Sequence, residues 1–118
     1  MANRTFAVGD IHGDLEALLR VMGKLPLLDE KDTLLFLGDY MDRGMQSAQV
    51  IDFLRNRLPA RTKAHVVTLR GNHEDGWLRV VEGGWPEFVA PEGNGCLACM
   101  RSFSARSYAP GDAATEDD

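Results

Sequence analysis

The chain has 118 residues, 44% of them hydrophobic, and a formal net charge of −5, the profile of one ordinary globular domain. The acidic balance excludes a broad nucleic-acid or anionic-membrane surface, while leaving room for a local cluster of arginines. No apolar run is long enough to span a bilayer, and Met1-Ala2-Asn3-Arg4-Thr5 leads into a strand pattern rather than a secretory signal, so the expected compartment is the cytosol.

In chain order, Arg4 to Val8 reads as a short strand. Asp14 is placed to cap a helix whose apolar stripe is Leu15, Leu18, Leu19, Met22 and Leu25, and Pro26 ends it. Thr33 to Leu37 is a nearly unbroken apolar run, expected of a strand covered on both faces. Ser47 is expected to cap a second helix, with Val50, Ile51, Leu54 and Leu58 buried and Pro59 closing it. His65 to Leu69 is a third strand, and Asp75 to Val81 a short third helix. Beyond Gly83 the glycines and prolines break any regular pattern, apart from a short helix over Leu97 to Phe103. The expected domain is residues 1–103, followed by a polar, acidic, flexible tail over 104–118. The order βαβαβα defines an α/β chain with parallel strands and right-handed crossovers.

Three glycine-flanked runs fall at the carboxyl ends of these strands, where such sheets bind ligands. They are Gly9-Asp10-Ile11-His12-Gly13, Gly38-Asp39-Tyr40-Met41-Asp42-Arg43-Gly44 and Gly71-Asn72-His73-Glu74. Asp10 and His12 alternate, so in an extended segment both side chains point the same way and can converge on one cation. Asp39 adds an oxygen able to bridge two metals, and Asn72 a neutral amide oxygen for a second. These hard or borderline donors suit manganese, iron or zinc. Two cations about 3.5–4 Å apart would lower the pKa of a bridging water and offset charge on the phosphoryl oxygens. Arg43 and Arg70 sit beside proposed ligands, and a guanidinium fork matches two phosphate oxygens. His73 can give a proton to the departing alkoxide, and Asp42 can orient that imidazole.

The three blocks resemble those of the calcineurin-like metallophosphoesterases. Arg43-Gly44 and Glu74 make them more similar to the phosphoprotein phosphatase branch, which includes bacterial serine/threonine phosphatases and symmetrical diadenosine tetraphosphatases. The resemblance covers roughly Thr5 to Arg79. It implies a first metal on Asp10, His12 and Asp39, with Asp39 bridging and Asn72 on the second. It also implies acid and orienting roles for His73 and Asp42, and phosphate contacts for Arg43 and Arg70. The implied cofactors are two divalent ions, manganese or an iron–zinc pair. The implied partner is a phosphorylated protein or a dinucleotide polyphosphate.

Other chemistry-bearing residues have plainer readings. Glu74 is as well placed to interact with a helix dipole as to serve the site. His65 lies within a strand and reads as structural. Trp77 and Trp85 read as packing residues, with Trp85 able to border a substrate groove. Cys96 and Cys99 form a single Cys-x-x-Cys pair, short of a zinc site and without a thioredoxin-like setting, so they read as ordinary reduced thiols.

The family fold is a sandwich of two mixed sheets between helices and is much longer than this chain. Its second metal site takes two later histidines and its phosphate site another arginine. Here there are three histidines and none follows His73. The chain is therefore expected to be the N-terminal half of that sandwich. Its function is either that of a dinuclear-metal phosphoester hydrolase, in its longer form, or that of a truncated, non-catalytic module. Such a module would bind metal or phosphate weakly, or pair with another chain.

Overall fold

The computed structural model describes residues 3–84, 86–89 and 91–104. Three short strands, β1 (Thr5–Val8), β2 (Thr33–Phe36) and β3 (His65–Thr68), form one parallel sheet in the order β1-β2-β3. Their register is level: Val8 pairs with Phe36, and Phe36 with Thr68. All three strands therefore finish along one line, and each is followed by one of the glycine-flanked runs.

The helices are α1 (Leu15–Lys24), α2 (Ser47–Asp52), α3 (Leu58–Arg61), α4 (Asn72–Gly83), α5 (Pro86–Val89) and α6 (Cys96–Ser102). Asp14 caps α1 as expected, accepting the Ala17 N–H at 3.0 Å. Leu18 is buried, and Leu15, Met22 and Leu25 pack against the core, but Leu19 is exposed. The core lies between α1, α2 and one face of the sheet. Leu34, Phe36 and Val50 are fully buried, joined by Leu18, Phe53, Leu54 and Leu58, with Phe6, Val8 and Val66 against them. Burying each of the larger side chains contributes about 1.5–3 kcal/mol.

Several local expectations change. The apolar run of β2 is not covered on both faces: Leu34 and Phe36 are buried, but the alternate residue Leu35 is only half-buried and Leu37 is exposed. Ser47 is the first residue of α2 rather than its cap, and its hydroxyl accepts the Asp42 N–H at 3.0 Å. The segment after α2 does not stop at Pro59. It runs through a π-helical turn, Phe53–Arg57, into α3. That wider turn precedes Pro59 at the start of α3, where proline lacks the N–H a continuing helix would use. Helix α4 starts at Asn72 instead of Asp75, which puts the third motif on its first turn. The glycine- and proline-rich stretch holds regular structure after all, in α5 and a 3₁₀ turn, Glu92–Asn94. Most of the expected tail, and Trp85, lie outside the described residues.

At the amino end of the sheet, Asp32 is fully buried yet satisfied. It accepts from Arg4 Nε at 3.0 Å, an Arg4 terminal nitrogen at 2.7 Å and the Asp29 N–H at 2.9 Å. The Arg4 guanidinium, with the Asp29 N–H, holds this carboxyl well below the usual carboxylate range.

Candidate metal centre

Backbone hydrogen bonds lock the turns after β1 and β2 together. The N–H groups of Ile11 and His12 both donate to the Asp39 carbonyl, at 3.0 and 2.9 Å, and the Gly44 N–H donates to the His12 carbonyl at 2.8 Å. The Glu74 carboxylate then ties the second turn to the third, accepting the N–H groups of Asp39 at 2.6 Å, Tyr40 at 3.0 Å and Gly71 at 2.9 Å. Sequence reasoning left the role of Glu74 open. Here its carboxylate fastens two site-bearing turns.

The geometry is strained. His12, Asp39, Asp42 and Arg43 have φ of 47°, 55°, 73° and 74°, a left-handed region that costs an L-residue roughly 1–2 kcal/mol. Such outliers cluster where a site must be held in an uncommon shape. Gly71 serves close approach, since a Cβ there would overlap the Asp39 carboxylate.

Within this frame, ligand atoms of Asp10, His12 and Asp39 all lie within 4.8 Å of one another. His12 Nε2 is 3.6 Å from Asp10 Oδ2. Its Nδ1 lies 3.0 Å from the Met41 carbonyl oxygen, so in the neutral ring Nδ1 carries the proton and the Nε2 lone pair is left for a ligand. Asp39 is buried and Asp10 exposed. Asn72 joins from the start of α4: its amide nitrogen can donate to Asp39 Oδ2 at 2.7 Å and Oδ1 at 3.1 Å. Turning that amide over would bring its oxygen to the same place, as a cation shared with Asp39 requires. Two carboxylates, an imidazole with a free Nε2 and a reversible amide therefore fit a divalent ion.

His73 is buried beside this group, its ring centroid 4.7 Å from that of His12. Its Nδ1 lies 2.7 Å from Asp42 Oδ2, and Asp42 is fully buried. Trp77, read from sequence as a packing residue, donates its indole N–H to the same carboxylate, 2.8 Å from Oδ1 and 3.1 Å from Oδ2. The available signal was spacing: residues 73 and 77 lie one helical turn apart on α4. Phe88 packs edge-on against both rings, at 5.4 Å from His73 and 6.2 Å from Trp77. Cys96 and Cys99 are buried free thiols. Burial and the Asp42 charge push Cys96 up to about 12, and burial pushes Cys99 up to about 11. Neither is a ready thiolate.

The two expected phosphate contacts are less enclosed. Arg43 is exposed, and its Nε donates to the Gly93 carbonyl at 3.2 Å. Arg70 is also exposed, 3.6 Å from Asp75. His65 stands exposed at the start of β3, at the other end of the sheet from the motif turns. No helix among the described residues is long and apolar enough to cross a membrane.

A family model described as Calcineurin-like phosphoesterase matches residues 4–109. The serine/threonine-protein phosphatase 6 catalytic subunit of Drosophila melanogaster is 36% identical over 106 residues, covering 86% of this chain and 33% of that protein. The chain thus spans about a third of the length of this curated relative. With the family's motif blocks meeting at one edge of a parallel α/β sheet, the chain belongs to the calcineurin-like phosphoesterase family.

Proposed function

We propose that this chain carries the first metal-binding half of a phosphoester hydrolase acting on phosphoserine or phosphothreonine in proteins. The convergence of Asp10, His12 and Asp39 carries the reading, and the phosphatase relative supports the substrate class. Asp10, His12 and Asp39 would hold one divalent ion, and Asp39 and Asn72 would serve a second, with manganese the first choice. The ions would supply Lewis acidity, which makes a bound water acidic and offsets negative charge on phosphate. Arg43 and Arg70 would clamp the phosphoryl oxygens. As the phosphorus–oxygen bond breaks, the departing alkoxide would take a proton from His73, held by Asp42.

A second reading has its own observation. No histidine follows His73, so these 118 residues offer a second ion little beyond Asp39 and Asn72. Alone, they would then bind metal or phosphate without efficient turnover. Manganese titration by calorimetry tests the centre: saturable binding abolished by Asp39→Asn supports it, and no binding to the unaltered chain removes it. Hydrolysis of p-nitrophenyl phosphate by the isolated chain is expected far below the roughly 1–10³ per second of ordinary enzymes. Turnover in that range, lost in Asp39→Asn, would reject the second reading. Comparing a phosphopeptide with diadenosine tetraphosphate decides the substrate class.

A further inference from the structure

We infer that Trp77 is a positioning residue for the His73–Asp42 pair, an inference that rests on the acid role proposed for His73. Asp42 is fully buried and sits on left-handed backbone, with φ of 73°. A carboxylate out of water needs donors on both oxygens. His73 Nδ1 meets Oδ2, while the Trp77 indole N–H reaches Oδ1 and shares Oδ2. An indole N–H donates and cannot accept. It therefore fixes the carboxylate plane and leaves Asp42 only an acceptor's part toward His73. His73 Nδ1 then keeps its proton directed at Asp42, so the proton given to a leaving alkoxide is the one on Nε2 of the imidazolium.

The neighbouring residues hold both rings in place. Trp77 and His73 share one face of α4, and Phe88 packs edge-on against both. Gly76 admits that ring, because a Cβ there would lie 2.6 Å from Phe88 Cε2. A tryptophan needed only for bulk would not require its nitrogen on a buried carboxylate.

The test is Trp77→Phe, which keeps an aromatic ring against Phe88 and removes the N–H. In nitrogen-detected NMR of the metal-free chain, unaltered His73 should show a proton on Nδ1 that exchanges slowly. In Trp77→Phe the Nδ1 proton should exchange about tenfold faster or more, the effect of losing one hydrogen bond to a charged group. Manganese affinity should stay within about twofold, because Trp77 touches none of the proposed ligands. An unchanged tautomer and exchange rate would overturn the inference, as would a manganese affinity that collapses in step, since that marks a general packing role. Should Trp77→Phe fail to fold, the Trp77 indole proton of the unaltered chain decides. A downfield, exchange-protected signal supports the bond, and one at the free-indole position rejects it. Neither readout needs turnover, so failure of the hydrolase reading is recorded separately, by calorimetry and activity.

Discussion

The two ends of the sheet handle buried carboxylates differently. At the amino end, Asp32 is answered by the Arg4 guanidinium and the Asp29 N–H, a closed pairing. At the carboxyl end, Asp39 accepts a neutral amide donor, the His73 backbone N–H, and stands within 4.8 Å of ligand atoms from Asp10 and His12. The first arrangement is complete with its own residues. The second brings like charges together on left-handed backbone, which costs stability unless a cation offsets it. One end of the strands is closed by an ion pair, and the other gathers the candidate metal donors.

Both ends hang on β2, so removing its core should erase the difference. Phe36→Ala should cost about 3–5 kcal/mol in urea unfolding and abolish manganese binding, because the turn holding Asp39 loses its base. Manganese at about a hundredfold over its Kd should raise stability by about 2.7 kcal/mol, read as a thermal shift. Asp39→Asn should remove that gain without lowering the metal-free melting temperature, whereas Asp32→Asn should lower it and leave the gain intact.

The pH dependence sharpens the contrast further. The folded-state pKa of Asp32 is depressed. Its contribution is therefore present above the ordinary value of 3.8 and lost as pH falls below it, and Asp32→Asn should flatten this acid limb. Cys96 shifts the other way, with a folded-state pKa raised from 9.0 to about 12. Its unfolded thiol ionises first, so stability should decline as pH rises across that interval, and Cys96→Ala should flatten the decline. The smallest effect belongs to the exposed Arg70–Asp75 pair: Arg70→Ala should change stability by less than about 0.5 kcal/mol while weakening phosphate binding.

The runs that meet at the candidate metal centre were legible in the chain itself. Apolar runs with β-branched residues mark strands, and glycine-flanked Asp, His and Asn runs mark turns, because both signals are local. What the linear order hides is contact between distant residues. Trp77 meets Asp42 across 35 positions, and Glu74 reaches Asp39 across the same span. Ser47 looked like a helix cap because caps are common for serine. Its hydroxyl instead meets the Asp42 N–H in a crowded turn.

By itself, the sequence determined the residue types at the rim and the strands that carry them, because periodicity and turn chemistry act over a few neighbouring residues, and its three motif blocks carried the resemblance to the family. The tertiary structure decided that the three strands end level, that the Glu74 carboxylate fastens the second and third turns, and that an indole N–H reaches a buried carboxylate. Those features depend on register and side-chain direction across the fold, which no local pattern encodes.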